Sequence, residues 1–155
     1  MTVLCQYENE LITVGFVESI TKMVRIKSMP ADGDCLFWAL GYFYDISGPR
    51  LRQMLINHMK TNRNIKLNGI DFSDWIQWSE EISYDQYIRK LERGMWGGYI
   101  EMALFNTITG SAITVWEPYQ KNGIKYIKKI SSIQGDEKPH CHIVYMNRNH
   151  YGVLY

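Results

Sequence analysis

The chain has 155 residues, of which 46% are hydrophobic and 21% charged, and its formal net charge is +1. This length and balance indicate one globular domain, residues 1–155, and exclude a low-complexity disordered chain. Near-neutral charge without a basic stripe argues against a nucleic-acid partner. No apolar run approaches the roughly 18 residues that a membrane span needs, and residues 1–10 lack the pattern of a secretory signal. We therefore expect a cytoplasmic protein that binds neither nucleic acid nor membrane.

Three cysteines, Cys5, Cys35 and Cys141, are present, and no two form a C-x-x-C pair. An odd number without such a pair predicts neither a disulfide framework nor a zinc ribbon, and it fits a reducing compartment. His140 and His142 flank Cys141 and would share one face of a strand, but two ligands do not make a metal site. We interpret this triplet as a strand that enters the core.

The first third of the chain carries two helix starts. Residues 29–34 predict a loop, because they combine a proline, a glycine and two aspartates. An apolar stripe then predicts a helix that begins at about Cys35. Ser47, followed by Gly48 and Pro49, marks the start of a second helix.

Two further helices are predicted before residue 110. Ser83 and Gln86 have the spacing of a capping box, and Gly94 is placed to end that helix. Residues 96–98, Trp-Gly-Gly, predict a tight turn. In the helix that follows, four side chains are expected to face the core: Ile100, Ala103, Leu104 and Ile108.

From residue 112 onward the apolar period changes to two, which is typical of strands. The predicted strands are residues 112–116, 124–130, 142–146 and 151–155. Residues 131–139 predict a polar loop, and residues 147–150 a hairpin turn. Helices followed by strands indicate an α+β domain, in which a mostly antiparallel sheet packs between helices.

Cys35 is the candidate nucleophile, because it lies where a glycine-containing loop meets the N-terminus of a helix. Backbone N–H groups that have no partner within the helix, together with the helix dipole, stabilise a thiolate there. The same N–H groups can bind an oxyanion that forms beside the sulfur. Gly33 lets the backbone approach a substrate closely. A lone cysteine at such a place is also often only a buried residue.

A cysteine nucleophile also needs an imidazole that takes its proton and returns it to the leaving group. Of the four histidines, His58 lies within a predicted helix with polar neighbours, and His140 and His142 begin a strand. His150 ends the predicted hairpin turn, where a side chain is held rigidly at the edge of a sheet. We interpret His150 as the candidate base.

Three segments in order resemble the motifs of the ovarian-tumour (OTU) family of deubiquitinases. Residues 32–40 read DGDCLFWAL, similar to the family's nucleophile signature. Residues 96–98, WGG, followed by EMAL at residues 101–104, are similar to its Trp-Gly turn and next helix. Residues 149–155 read NHYGVLY and resemble its closing His-aromatic strand. The resemblance covers residues 28–155, so it implies an OTU-like cysteine protease fold over almost the whole chain.

This resemblance implies a thiol-dependent deubiquitinase with ubiquitin or polyubiquitin as its partner. Cys35 would attack the carbonyl of the C-terminal glycine of ubiquitin and break an isopeptide bond to a lysine, with His150 as base and then acid. Backbone amides of residues 32–35, which include Gly33 and Asp34, would form the oxyanion hole. The resemblance implies no metal or organic cofactor, and nothing in the sequence demands more than a monomer.

The sequence departs from the family pattern at Gly152. Many family members place Asp or Asn there, two residues after the histidine, where it orients the ring. We expect Asp32 to supply this polar support as the third catalytic residue, although Asp32 can equally serve only to hold the loop. The other candidates are Asp34, Asn147 and Asn149, and the two asparagines can also simply cap their turn.

The Gly-Gly tail of ubiquitin implies a narrow channel to the sulfur. Candidate wall residues are Trp38, Trp96, Gly97, Gly98 and Tyr151, and Trp38 is equally compatible with the core. Acidic residues before Gly94 can complement the basic residues of the tail or form a solvated helix face. They are Glu80, Glu81, Asp85 and Glu92.

Two alternatives remain open on the sequence alone. One is an inactive ubiquitin-binding pseudoenzyme, in which Gly152 reflects lost activity. The other is a protease of a ubiquitin-like modifier with the same Gly-Gly tail. Near-minimal domains of this size resemble those of viruses, bacterial effectors and mobile elements, which suggests a role in host–virus interaction, and the chain can equally be a piece of a larger polyprotein.

Overall fold

A computed structural model describes residues 2–4, 12–15 and 21–155. Cys5 lies outside these ranges. The helices are α1 (Cys35–Tyr42), α2 (Gly48–Thr61), α3 (Phe72–Glu80), α4 (Tyr84–Glu92) and α5 (Tyr99–Thr109). The strands are β1 (Thr2–Leu4), β2 (Ile12–Gly15), β3 (Thr21–Val24), β4 (Ile26–Ser28), β5 (Lys66–Leu67), β6 (Ile70–Asp71), β7 (Ser111–Lys121), β8 (Ile124–Ile133), β9 (Glu137–Met146) and β10 (His150–Leu154). No helix in these ranges is long and apolar enough to cross a membrane.

Eight of the described strands form one mixed sheet in the order β3-β2-β1-β8-β7-β9-β10-β4. Every neighbouring pair in it is antiparallel except β7 and β9, which run parallel. β5 and β6 form a separate two-stranded ribbon. The predicted α+β class with a mostly antiparallel sheet is confirmed. β4 lies at one edge of the large sheet, and the chain runs from there into the loop before α1.

Alternating residues of the central strands face two different clusters, as the pleat requires. Val115, Ile143 and Val153 pack with residues from all five helices in the main core. Their chain neighbours face a second cluster, which in the described part of the chain consists of strand residues only: Ile26, Trp116, Ile127, Val144, Met146 and Leu154. In the described ranges the helices thus pack against one face of β7, β9 and β10, not on both faces as predicted, because strand residues form the cluster on the other face. α1 rests directly on β9 and β10.

Helix starts follow the local signals in the sequence. α1 begins at Cys35, as predicted. Ser47 caps α2, and its hydroxyl accepts a hydrogen bond from the Arg50 N–H. Ser83 and Gln86 form the predicted capping box of α4.

Three predictions about local structure were wrong. Residues 131–139 are mostly strand, since β8 extends to Ile133 and β9 begins at Glu137, because pairing with β7 outweighs their polar composition. Residues 96–98 carry no turn, and the preceding turn lies at residues 93–94. Ile108 is 41% exposed, because the part of α5 that contacts the core is its first half, residues 101–105.

The β9–β10 hairpin fixes where His150 lies. Asn147 and Arg148 both have positive φ, 51° and 58°, and the Asn149 N–H donates to the Met146 carbonyl at 3.2 Å. Two central residues of this kind define a type I′ turn, which matches the twist of the flanking strands. His150 is therefore the first residue of β10, not the last residue of the turn as predicted.

Arg148→Gly should raise the free energy of unfolding by about 0.5–1 kcal/mol, because glycine adopts positive φ without the steric cost that arginine carries. The matched control is Arg148→Ala, which removes the same side chain but keeps the unfavourable Cβ. Urea denaturation of the three proteins measures the difference. An equal gain from alanine and glycine would show that backbone conformation is not the cause.

Candidate functional site

The loop before Cys35 is held by the carboxylate of Asp32. One oxygen accepts a hydrogen bond from the Asp34 N–H at 3.0 Å, and the other accepts one from the Trp38 indole N–H at 3.1 Å. Asp32 therefore ties the loop to the first turn of α1, on either side of Cys35. This hydrogen bond holds the Trp38 ring beside the loop. The ring is half-buried and lies against Gly48 of α2.

Arg52 of α2 holds the same loop from inside the protein, where only 9% of the residue is exposed. Its guanidinium forms an ion pair with Asp34 at 2.5 Å and donates to the Gly33 carbonyl at 3.0 Å. It also donates to the carbonyls of Leu91 at 3.0 Å and Met95 at 2.7 Å. One side chain thus joins the nucleophile loop to the end of α4 and to the segment before Trp96. Charge-assisted hydrogen bonds of this kind are the strong ones.

The segment 96–98 lies against the start of α1. A Cβ on Gly97 would approach Leu36 Cδ2 to 2.7 Å, so only glycine fits there without a shift. The Trp96 indole is 63% exposed, and its nitrogen lies 3.7 Å from the Cβ position that Gly33 leaves empty. Around Gly98 there is open space. The structure thus brings Trp96 and Gly97 beside the nucleophile loop, as a channel wall requires.

Glu101 is a buried carboxyl that the sequence analysis missed. One oxygen accepts a hydrogen bond from the Gly98 N–H at 2.7 Å, and the other accepts one from the Tyr87 hydroxyl. Burial raises the pKa of Glu101 above its ordinary value. Its position three residues after Gly98 is the capping-box spacing, which was the available signal. Glu101 fixes the end of the segment 96–98 at the start of α5.

Tyr151 of β10 packs against the main core, as Cys35 does. Its ring is half-buried and packs on Tyr145, with 4.8 Å between the ring centroids. Burial raises the pKa of Tyr151 to about 12, and the charges of Tyr145 and Cys35 add to the rise. Tyr151 therefore lies within electrostatic reach of Cys35.

His150 lies at the end of β10 nearest to the nucleophile loop. Gly152 pairs with Ser28 at the end of β4. Because the two strands are antiparallel, His150 lies opposite the residues that follow Ser28, and these residues lead to Cys35. Its ring nitrogen Nε2 lies 3.0 Å from the Ser28 hydroxyl. Within the described residues no hydrogen bond joins this ring to the Cys35 thiol. Such bonds are often long before substrate binds.

His140, His142 and Cys141 contact other residues of the sheet and are not near the nucleophile loop in sequence. The rings of His140 and His142 stack at 4.0 Å and bond to Thr114 and Trp116 of the neighbouring strand. Cys141 is fully buried, and burial raises its pKa to about 12. Among the residues that the structure describes, no group of three or more His, Cys, Asp or Glu side chains is arranged to hold a metal ion.

The remaining candidates are those for supporting His150 and those for binding the basic residues of a substrate tail. Asn147 and Asn149 belong to the hairpin turn, and the Asp34 carboxylate is paired with Arg52. Of the acidic residues before Gly94, Asp85 pairs with Arg63 and Glu92 with Lys60 on the surface. Glu80 and Glu81 are exposed.

These elements define an OTU-fold domain whose cysteine stands at the N-terminus of the helix that packs on the last strand. Comparison with solved structures confirms this fold. The Hazara virus OTU bound to ubiquitin aligns with a TM-score of 0.62 and 16% identity, over 98% of this chain and 93% of that one. The OTUD1 OTU domain aligns with a TM-score of 0.62 and 14% identity, over 85% of each chain.

A sequence match supports the same family resemblance. A Schizosaccharomyces pombe protein that carries the name ubiquitin thioesterase otu1 is 32% identical over 90 residues, which are 58% of this chain. The match covers 25% of the length of that protein. No family model matches the chain.

Arg52→Met should lower the free energy of unfolding by about 3–5 kcal/mol, because it leaves the Asp34 carboxylate without its partner in a mostly buried place. Denaturant unfolding measures the loss. Lys60→Met is the matched control: it breaks the exposed pair with Glu92 and should cost about 1 kcal/mol or less. Adding Asp34→Asn to Arg52→Met should recover part of the loss, and equal small losses for both single variants would contradict this account.

Glu101 should make stability depend on pH. Its pKa is raised in the folded protein, so the folded state binds this proton more tightly than the unfolded chain does. The associated stability is present at low pH and is lost as the pH rises through the folded-state pKa. The stability of wild type relative to Glu101→Gln, measured by urea denaturation, should therefore be greatest at low pH and fall as the pH rises above the ordinary glutamate pKa of 4.5. Glu81→Gln, at an exposed site, serves as control, and a difference that grows with pH would refute the sign.

Proposed function

We propose that this protein is a cysteine protease of the deubiquitinase type, with Cys35 as nucleophile and His150 as base. One observation carries the proposal. The loop that leads into Cys35, the Trp96–Gly97 segment and the strand that begins with His150 meet at the N-terminal end of α1. In an OTU fold, this convergence supplies a thiol, a base and a wall for an extended peptide.

The proposed chemistry begins with transfer of the thiol proton from Cys35 to the His150 ring. The thiolate attacks the carbonyl carbon of the C-terminal glycine of the substrate, and backbone N–H groups of residues 32–35 bind the oxyanion. The intermediate collapses to a thioester, while the leaving lysine amine takes the proton from His150. Water, deprotonated by His150, then hydrolyses the thioester and restores the thiol.

The fixed shape of the loop is the main contribution of the protein. Asp32 and Arg52 hold it from two sides, so its N–H groups need no rearrangement when charge develops on the substrate. Gly33 has φ +86°, which brings its backbone into a conformation that residues with a side chain rarely adopt. We infer that Asp32 acts by holding this loop, since one of its hydrogen bonds is made within the loop and the other ties the loop to Trp38 of α1.

The substrate class follows from the walls. We take Trp96, Gly97 and Tyr151 as the walls of a channel for a tail without large side chains, such as Gly-Gly. The Hazara virus relative is described as bound to ubiquitin, and the fission-yeast relative is named a ubiquitin thioesterase. The exposed carboxylates of Glu80 and Glu81 are our candidates for the basic residues of such a tail. We place this activity in the cytosol, of a host cell if the protein is viral.

Incubation with a ubiquitin probe that carries a C-terminal electrophile should give one covalent adduct, located at Cys35 by peptide mapping. Cys35→Ala should abolish the adduct, and so should denaturing the protein before the probe is added. Cys141→Ala is the matched control, and its labelling should stay unchanged because Cys141 is buried. An adduct that persists in Cys35→Ala would overturn the assignment.

Hydrolysis of a C-terminal ubiquitin fluorogenic substrate separates the remaining alternatives. His150→Ala should lower kcat by at least about 100-fold, the contribution typical of a general base. Binding of ubiquitin without turnover by wild type would indicate a pseudoenzyme. Turnover of a ubiquitin-like modifier in place of ubiquitin would keep the chemistry and change the substrate.

A further inference from the structure

We propose that Ser28 is the positioning residue of His150 and fills the role that a side chain at position 152 would have. The inference rests on the proposed function, since it concerns how the base of that site is oriented. Three observations support it: a hydrogen bond between Ser28 and His150, the pairing of Ser28 with Gly152, and the lack of space for a side chain at Gly152.

The contact is the hydrogen bond between the Ser28 hydroxyl and Nε2 of His150, at 3.0 Å. The two residues are 122 positions apart in sequence, so the fold and not the local chain brings them together. The bond is half-buried, which keeps it from being fully exchanged for water.

The register explains why this residue reaches the ring. In the pairing of β10 with β4, Ser28 stands directly opposite Gly152. Side chains of cross-strand partners lie on the same face of a sheet, and so do those of residues two apart on one strand. Ser28 therefore shares a face with His150 and lies diagonally across from it, where a hydroxyl can reach the ring.

The steric limit explains why position 152 carries no side chain. A Cβ on Gly152 would lie 2.7 Å from the backbone carbonyl oxygen of Lys27 and 2.9 Å from Cε of Met146. A carboxylate or amide there would force the two strands apart. The polar group is instead attached to the facing strand, one residue after Lys27.

In the proposed arrangement the ring donates this bond, since the cationic ring that forms on proton transfer can only donate and the Ser28 oxygen can accept. When Nε2–H donates to the Ser28 oxygen, the unprotonated nitrogen of the neutral ring is Nδ1. Nδ1 can then take the proton of the Cys35 thiol, which gives a cationic ring and a thiolate. The ring keeps its bond to Ser28 throughout, so its orientation does not change during the transfer.

Asp32 and Asp34 are already engaged. One oxygen of Asp32 accepts from the Asp34 N–H and the other from the Trp38 indole of α1, and Asp34 is paired with Arg52. Asn147 lies at a positive-φ position of the turn, and Asn149 closes it through its backbone N–H. Within the described part of the chain, the side-chain hydrogen bond of the His150 ring is the one to Ser28.

The test compares wild type with Ser28→Ala, Ser28→Thr and Ser28→Asn, and uses Ser132→Ala as the matched control on an exposed strand position. Nitrogen-15 NMR of the His150 ring gives the tautomer, and the rate at which iodoacetamide alkylates Cys35 gives thiolate reactivity without any ubiquitin. Turnover of the fluorogenic ubiquitin substrate gives kcat and KM.

Ser28→Ala should shift the ring away from the Nε2–H tautomer and slow alkylation of Cys35 by roughly tenfold or more, within the range that a positioned base provides. It should lower kcat with little change in KM. Ser28→Thr and Ser28→Asn, which keep an acceptor oxygen, should restore most of the loss, and Ser132→Ala should behave as wild type.

An unchanged tautomer and alkylation rate in Ser28→Ala would overturn the role of Ser28, whatever happens to turnover. If wild type fails to hydrolyse the ubiquitin substrate while the tautomer and alkylation respond as expected, Ser28 still positions His150, and it is the proposed substrate that fails. Equal unfolding midpoints for wild type and Ser28→Ala separate both results from a loss of folding.

Discussion

The guanidinium of Arg52 is the interaction on which the site depends. It is a charge in a mostly buried place, so it must be paired and fully hydrogen-bonded to be tolerated. Its partners are Asp34 and the carbonyls of Gly33, Leu91 and Met95. Because these partners belong to the nucleophile loop and to the chain on either side of the α4 end, satisfying one arginine sets the position of the loop relative to the segment that leads to Trp96.

Around Arg52, regular elements and loops contribute different parts of the site. Rigid elements supply the groups proposed for chemistry: Cys35 begins a helix and His150 begins a strand. Loops supply the surfaces on which a substrate would lie, and each loop is fixed by a carboxylate. Asp32 holds the loop before α1, and Glu101 holds the start of α5.

The sequence predicts what local chemistry determines. The starts of α1, α2 and α4 were predicted because a capping or turn residue precedes each of them. The extent of β8 and β9 was not, because their ends pair with β7, far away along the chain. The burial of Arg52 and Glu101 was not predicted, since it depends on partners that only the folded chain supplies. The link from Ser28 to His150 was missed for the same reason: it crosses between strands, and a motif read along one strand cannot contain it.

The separation of the Arg52 partners has a consequence for how the protein matures. Leu91 and Met95 lie 39 and 43 residues after Arg52 in the chain. The loop before Cys35 therefore cannot take its final shape while synthesis has reached only α2, because the carbonyls that orient the arginine do not yet exist. His150 arrives later still, with the last strand. On the proposed function, a chain whose synthesis has not yet reached β10 lacks the base of Cys35, so the thiol would become reactive only after all of these segments are present.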